Sequence, residues 1–440
     1  MSAWAIGLWS FPVLLALIFL RLPIGLAMLA VGFGGTWMVT GSPLMMLSQL
    51  KHLPYGTFAS YSFSIIPLFL LMGQFAMLGG MSAALFRAAG AWLGHRRGGM
   101  AMAAIGASAG FGAICGSSLA TAATMGQIAL PELKRAGYSG RLATGTLAAG
   151  GTLGILIPPS VVLVLYAILA EQNIARLFVA AFIPGVLAAA GYVICIALYV
   201  RIFPQSGGVE PRLPYGARFR ALVPVLPVLG IFLLVVGGIY GGIFTPTEAA
   251  AVGAACTFVL AWISGGLSLR LTGAALLATA QSTGMIFVII LGAAVFNGFL
   301  ALTQVPQTVA QWTGAQGFSP WLVLWVVLLI YLAFGMVMDS LSMILLTVPI
   351  FYPVLAMLDF GMSAADFGIW FGILVLIVTE VGLITPPVGM NLFIINAMAR
   401  DVPMSHTFAG ALPFVITDLI RLAALVAFPV LTLAAVNWLG

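Results

Sequence analysis

A short stretch that contains two adjacent prolines occurs twice in the chain, each time inside a long apolar segment. The copies read GILIPPS at 154–160 and GLITPPV at 382–388. A proline pair removes two backbone donors and clashes with the preceding turn, so each helix must break there. In hydrocarbon a broken helix is tolerated only where it is buried in protein or lines a cavity. Two such breaks, in corresponding places of two halves, indicate the binding site of a secondary transporter.

The composition is that of a protein that crosses a membrane many times. Apolar residues make up 62% of the 440 positions and charged residues only 6%, whereas soluble domains carry about 25% charged residues. The N-terminal apolar segment lacks a basic leading region and a small-residue cleavage site, so we interpret it as a retained first helix. Basic loops on the cytoplasmic side account for the net charge of +6, and no nucleic-acid partner is expected.

The cysteines and histidines argue against an enzyme and against a transition-metal centre. Cys115, Cys195 and Cys256 each lie in an apolar segment, without a disulfide framework or metal-ligand spacing. No histidine stands at ligand spacing from a carboxylate, and no nucleophile–base pair is evident at membrane depth. We therefore predict neither catalysis nor transition-metal chemistry.

The apolar segments predict an all-α polytopic membrane protein. A helix needs about 20 apolar residues to cross a bilayer. Spanning helices are predicted at 4–20, 24–39, 62–78, 176–200, 221–239, 246–263, 283–302 and 408–438, with a polar connection at 41–60 and interfacial arms at 82–93 and 304–319. Two longer segments, 98–138 and 320–358, carry polar residues at their middles and are predicted to be re-entrant hairpins. The broken helices occupy 141–170 and 366–398.

The two halves of the chain repeat one another. Ser117, at the predicted tip of the first hairpin, is followed by Pro131 fourteen positions later. Asp339, at the tip of the second, is followed by Pro353 at the same interval. The predicted division is a first repeat at 1–200, a cytoplasmic inter-repeat loop at 201–220 and a second repeat at 221–440.

The charges at the hairpin mouths predict opposite orientations for the two repeats. Lys134 and Arg135 lie at the mouth of the first hairpin, which should therefore face the cytoplasm. Asp359 and Asp366 flank the mouth of the second, which carries no lysine or arginine and should face outwards. The halves are thus predicted to form an inverted-topology repeat.

The two tips and the two breaks should meet near the middle of the membrane. Helix ends at a break expose carbonyl groups, which suit a hard cation such as sodium, and helix starts expose N–H groups, which suit an anion. Hydroxyl groups at these points come from Ser117, Ser118, Thr121, Ser340, Ser342, Thr379 and Thr385. Asp339 and Glu380 are intramembrane carboxylates, which mark functional sites. For Asp339, capping of the following helix and direct site chemistry both remain open.

At these residues the chain resembles the large membrane subunit of tripartite ATP-independent periplasmic (TRAP) transporters. The resemblance covers nearly the whole chain in order. It is carried by PLFLLMG at 67–73, CGSSLATA at 115–122, GILIPPS at 154–160, GIFTPTEAA at 242–250, and the stretches 339–349 and 382–391. The TPTEA sequence and the paired Pro-Pro breaks are far more specific than hydropathy.

The resemblance implies sodium ions bound where tips and breaks meet, largely by backbone carbonyls. By position the sodium-binding residues are Ser117, Ser118, Gly154, Ile157 and Pro159 in the first half, and Asp339, Ser340, Gly382, Thr385 and Val388 in the second. The residues expected to face the substrate are Thr121, Ser160, Ser342 and Asn391.

The resemblance also implies a mechanism and two partners. A unit of hairpins and broken helices would slide against a scaffold, as in an elevator. A small four-helix membrane (Q) subunit and an extracytoplasmic substrate-binding (P) protein would be required, and this chain contains neither. The cargo would be an organic anion such as a C4-dicarboxylate or a sugar acid, imported with sodium across the bacterial inner membrane.

Two other readings of the same pattern remain open. A stand-alone sodium/divalent-anion symporter also has hairpins and inverted repeats, but the Pro-Pro breaks and the TPTEA stretch favour the tripartite family. A passive channel would need a continuous polar lining, whereas polarity here is concentrated at two mirrored points.

Overall fold

The described part of the chain is helical throughout and contains no strand. The computed structural model describes the backbone of residues 2–439 and their side chains apart from 310, 314 and 439. The first half contains α1 Ala3–Phe19, α2 Ile24–Thr40, α3 Leu44–Phe58, α4 Ile65–Leu78, α5 Met81–Leu93, α6 Gly99–Cys115, α7 Ser118–Arg135, α8 Gly140–Leu156, α9 Val161–Leu169 and α10 Ile174–Ile202. The second contains α11 Tyr215–Leu222, α12 Leu226–Tyr240, α13 Pro246–Ile263, α14 Leu269–Thr303, α15 Val305–Ala315, α16 Pro320–Gly335, α17 Ser340–Leu355, α18 Ala364–Leu383, α19 Met390–Met398, α20 Met404–Ala427 and α21 Val430–Leu439.

The predicted all-α membrane fold is confirmed. Among the described residues seven helices are long and apolar enough to cross a membrane, and the bent pair α8–α9 makes up to eight. Three short 3₁₀ segments, Tyr61–Ser64, Pro204–Ser206 and Val223–Val225, lie between helices or lead into them.

Both proposed hairpins exist as helix pairs. α6 ends at Cys115 and is followed by Gly116, whose positive φ of 64° favours glycine, and Ser117 then caps α7. α16 and α17 are joined by residues 336–339, and Asp339 caps α17. That each pair enters and leaves the membrane on one face stays a prediction.

Both proline pairs break their helices as predicted. The first break separates α8 from α9, whose axes differ by 47°. The second separates α18 from α19 by the six residues 384–389. The two breaks differ in exposure, because Pro158 and Pro159 are buried whereas Pro386 and Pro387 are exposed.

Four predicted boundaries are wrong. The connection expected at 41–60 is largely the helix α3, which places no residue fully in the core and lies against α14 and α2. α14 begins at Leu269 rather than 283, where Ser268 caps it by accepting from the Leu271 amide. The inter-repeat loop at 201–220 includes the start of α11, and the single helix expected at 408–438 divides near Pro429. In each case a polar or proline-containing stretch was misjudged, because surface helices tolerate polar residues and a proline can end one helix and admit another.

The helices of the two halves interlock. α2 packs against α14, and α4 packs against α13. These four helices form one group. α7 packs against α8 and α19, while α17 packs against α9 and α18. The return helix of each hairpin therefore contacts the short helix that follows the break in the other half, and this crossing brings the tips and breaks together.

Candidate functional site

The hairpin tips are formed by two capped helix starts. The Ser117 hydroxyl accepts a hydrogen bond from the Ala120 amide (3.4 Å) at the start of α7. The Asp339 carboxylate accepts one from the Ser342 amide (3.1 Å) at the start of α17. Of the two roles left open for Asp339, the structure supplies geometry for capping, and its carboxylate makes no ion pair among the described residues.

The first tip lies directly against the first break. Gly154, in the last turn of α8, has no room for a side chain, since an added β-carbon would lie 2.5 Å from the Thr121 hydroxyl and 2.7 Å from the Ser117 carbonyl oxygen. Thr121 is fully buried, and its hydroxyl finds no nitrogen or oxygen hydrogen-bond partner among the described residues, with the Cys115 thiol as its polar neighbour. Gly154 is therefore required so that the tip can approach the break, and the approach leaves oxygen atoms facing the helix end.

The second tip meets the second break in a related way. The Gly389 amide donates to the Met336 carbonyl at the end of α16 (3.1 Å), which links the start of α19 to the second tip. Gly382, near the end of α18, lies against the backbone of Gly335. The Thr385 hydroxyl donates to the Val381 carbonyl (2.6 Å) and so turns back onto its own helix.

One buried carboxylate joins both tips. Glu380, on α18, is fully buried and accepts a hydrogen bond from the hydroxyl of Ser118 at one oxygen. Its other oxygen accepts from the hydroxyl of Ser340 at 2.7 Å. The sequence drew attention to Glu380 as an intramembrane carboxylate, but it gave no reason to join it to serines 262 and 40 positions away.

The two broken helices are also joined to each other. Asn391, at the start of α19, is fully buried and donates from its side-chain amide to the Ala148 carbonyl of α8 (3.2 Å). Its side-chain oxygen has no hydrogen-bond partner among the described residues. Asn391 also packs on the Gly151 face of α8, one turn before Gly154.

The remaining predicted residues have more local roles. The Ser160 hydroxyl accepts from the Leu163 amide and caps α9 (3.3 Å). Ile157 and Val388 are partly exposed at the two breaks, while Pro159 is buried. No hydrogen bond in the described residues connects the hydroxyls of Ser160 or Ser342 to another predicted site residue.

Sequence reasoning missed a charged network beside the first break. The Thr152 and Tyr192 hydroxyls lie 2.9 Å apart, and Tyr192 donates to the Asp418 carboxylate at 2.6 Å. Asp418 forms an ion pair with Arg421 (2.9 Å), and their side chains are 1% and 7% exposed. Two charges three positions apart inside the apolar segment 408–438 were the available signal.

The arrangement suits a hard cation and an anion better than it suits redox or transition-metal chemistry. Its groups are hydroxyl, amide, carbonyl and carboxylate oxygens, the ligands that alkali and alkaline-earth cations prefer. No cluster of three or more His, Cys, Asp or Glu residues occurs in the part of the chain that the structure describes. The buried oxygens of Thr121 and Asn391 fit a cation ligand set.

Comparison with known proteins identifies the family. The family model for the tripartite ATP-independent periplasmic transporter, DctM component, matches residues 11–431. A C4-dicarboxylate TRAP transporter large permease protein DctM of Pseudomonas aeruginosa is 37% identical over 387 residues, covering 88% of each chain. The sialic acid TRAP transporter large permease protein SiaM of Vibrio cholerae is 29% identical over 95% of this chain and 96% of its own.

A solved structure supports the same architecture. The YdaH transporter of Alcanivorax borkumensis matches with a TM-score of 0.65 over 90% of each chain, at 16% sequence identity, a likeness of fold alone. The match of the family model and of the relatives, together with the apolar spans, confirms the resemblance inferred from the sequence. The chain therefore belongs to the DctM family, the large permeases of tripartite ATP-independent periplasmic transporters, and is a transporter subunit of the bacterial inner membrane rather than an enzyme.

Proposed function

We propose that this permease imports an organic anion with sodium ions by an elevator movement. The observation that carries the proposal is the convergence of both hairpin tips and both helix breaks on one region of the molecule. Glu380 contacts both tips, and Asn391 joins the two broken helices. Mirrored helix breaks at such a point are the pattern by which secondary transporters hold substrate and coupling ions.

The cation would be held where each tip meets its break. In the first half the candidates are the carbonyls of Gly154, Ile157 and Pro159, with Ser117 and Ser118 opposite. In the second half they are the carbonyls of Gly382, Thr385 and Val388, with Asp339 and Ser340 at the tip. Bound sodium would supply positive charge that favours an anion nearby. The buried Thr121 hydroxyl beside Gly154 supports an oxygen-lined site there.

The anion would lie beside the cations, against helix starts and hydroxyl groups. Helices α7, α9, α17 and α19 all begin in this region, and helix N-termini favour negative charge. The candidates for contact are Thr121, Ser160, Ser342 and Asn391. The named relatives transport C4-dicarboxylates and sialic acid, which are carboxylates, and we extend that substrate class to this chain.

Two partner proteins complete the transporter in this proposal. A small four-helix Q subunit would pack beside the long spans, and an extracytoplasmic P protein would deliver the anion. An isethionate permease named DctMQ matches this chain over 60% of its own length, which leaves room in that relative for a fused second component. The group α2, α4, α13 and α14 would serve as the fixed scaffold, and the hairpins with the broken helices would move.

The test is uptake of radiolabelled C4-dicarboxylates and sugar acids into proteoliposomes. The chain would be reconstituted alone, with its small subunit, and with the binding protein added, each with and without an inward sodium gradient. Uptake that needs all three proteins and sodium is expected. Robust sodium-driven uptake by the chain alone would favour the stand-alone symporter, and equilibrating flux indifferent to sodium would indicate a channel.

A matched pair of variants tests the site itself. Thr121→Val removes the buried hydroxyl beside Gly154. The sodium concentration for half-maximal uptake should rise about tenfold or more, because the cation loses one oxygen ligand, a contact as strong as a hydrogen bond to a charged group. Thr257→Val is the control, because the Thr257 hydroxyl is equally buried but bonds within its own helix, to Gly253 and Ala254. Equal sodium dependence in both variants would remove Thr121 from the site.

A further inference from the structure

Glu380 is the point at which the two hairpins are connected. Its two carboxylate oxygens accept from different hairpins, one from Ser118 and one from Ser340. Apart from this connection through Glu380, no hydrogen bond links the first hairpin to the second within the part of the chain that the structure describes. The side chain is fully buried, so water does not compete for these two bonds.

The two serines occupy equivalent places. Each is the first residue of a hairpin's return helix and directly follows the capping residue, Ser117 in one hairpin and Asp339 in the other. Each hydroxyl therefore moves with the tip of its hairpin. A shift of either tip away from α18 must break one of these bonds and leave a buried polar group without its partner, which is costly.

No basic side chain competes for the Glu380 carboxylate. Among the described residues the nearby buried arginine, Arg421, is paired with Asp418, and Glu380 forms no ion pair. Its hydrogen bonds are thus directed to the tips.

We propose that Glu380 is a positioning residue that holds the two hairpin tips in register and so couples the two halves of the transport site. The purpose of this coupling rests on the proposed function, because the tips are where cation and anion would bind. The structural claim does not depend on transport. Two hydrogen bonds through one side chain hold the tips, and we expect this hydrogen-bonding pattern, rather than the charge of Glu380, to be what holds them.

Hydrogen exchange of the purified full-length chain in lipid nanodiscs tests the positioning role without any transport assay. The variants are Glu380→Ala, which removes both bonds, and Glu380→Gln, whose amide can accept from one serine and donate to the other. Thr379→Val is the matched control, because Thr379 is equally buried in the same turn but its hydroxyl donates within its own helix, to Val375 at 2.7 Å.

In Glu380→Ala, peptides covering 116–124 and 338–346 should both exchange about tenfold faster or more, the factor expected when a buried polar group loses its hydrogen-bond partner. Glu380→Gln and Thr379→Val should leave both segments protected to within about threefold of the parent. Faster exchange at one tip only, or at neither, would overturn the coupling of the tips. Equal loss in the Gln and Ala variants would show that the charge is required and would also overturn the proposal.

Single-serine variants provide the second measurement, in case Glu380→Ala folds poorly. Ser118→Ala and Ser340→Ala each remove one bond, and each should speed hydrogen exchange at its own tip several-fold. The same two changes are then combined in one chain that carries Glu380→Gln. Because both bonds run through residue 380, the effect of the double serine variant on exchange should differ from the product of the two single effects. Strictly multiplicative effects would mean that the tips act independently. If hydrogen exchange changes as expected while no uptake occurs under any condition, the proposed function fails and the positioning role stands.

Discussion

Gly112 of the first hairpin and Gly154 of the first broken helix touch backbone to backbone. A β-carbon on Gly112 would lie 2.5 Å from the Cα of Gly154. The second half has the same relationship, because a β-carbon on Gly382 would lie 2.6 Å from the Cα of Gly335. In both halves the outgoing helix of the hairpin is thus pressed against the end of the broken helix, with glycine on both sides of the contact.

Gly112→Ala should destabilise the protein and disable transport. The added methyl meets backbone atoms that cannot rotate away, and overpacking of this kind costs about 1–3 kcal/mol. Gly106→Ala is the control, because Gly106 lies on the same helix and nothing stands within 4 Å of its added β-carbon. Thermal unfolding in detergent and uptake in proteoliposomes measure the difference. Equal behaviour of the two variants would contradict the close contact.

Asp339→Asn should be tolerated. Asparagine caps helices as well as aspartate does, so α17 keeps its first hydrogen bond while the charge is removed. Uptake and its sodium half-saturation should stay within about twofold, whereas Asp339→Ala should cost about 1 kcal/mol of stability. Because the asparagine side chain still offers an oxygen to a cation, a large rise in the sodium requirement of the Asn variant would show that the negative charge of Asp339 is needed at the site.

Removing one member of the Asp418–Arg421 pair should be far more harmful than removing both. The pair is almost fully buried, and an unpaired buried charge costs about 3–5 kcal/mol. Asp418→Leu should therefore lower the thermal unfolding midpoint sharply, and adding Arg421→Met should restore most of it. Tyr192 keeps its contact with Thr152 in the double variant. If the double variant were as unstable as the single one, the network would have a role beyond charge balance.

Stability should depend on pH through His95, in the connection between α5 and α6. Burial, together with Arg218, Arg212 and Arg96, holds the pKa of the His95 imidazole below its ordinary value of 6.5. Between pH 6.5 and the lower pKa of the folded protein, the unfolded chain therefore binds a proton at His95 that the folded chain does not bind. Stability is accordingly complete above pH 6.5 and declines as the pH falls below it.

His95→Gln should remove that dependence. The comparison is the difference in thermal midpoint between pH 7.5 and pH 5.5, in about 0.15 M salt, for the parent and the variant. The parent should lose more than the variant on acidification. An identical loss in both proteins would assign the acid sensitivity to other groups.

Local chemistry decides which parts of this protein could be read from its sequence. Proline pairs are local signals with steric consequences, so both helices break at the predicted prolines. Polar residues likewise lie between the helices of each proposed hairpin, whose re-entrant course stays a prediction. The partners of Glu380 are set by the packing of α7 and α17 around α18, which no local pattern encodes. The surface helix α3 and the start of α14 were missed because their polar residues resemble those of connections.

Helix α14 has a consequence for the surrounding lipid. Its 35 residues extend about 52 Å, well beyond the roughly 30 Å of a bilayer's hydrocarbon. The stretch from Leu44 to Leu78 in the first half is as long but is divided at 59–64 into α3 and α4. The stretch that holds α3 and α4 accommodates its excess length by a break between the two helices, whereas α14 must tilt or extend beyond the hydrocarbon. A change in membrane thickness should therefore alter the tilt or the protruding length of α14 more than those of the divided pair α3 and α4, so acyl-chain length becomes a variable that acts on this helix.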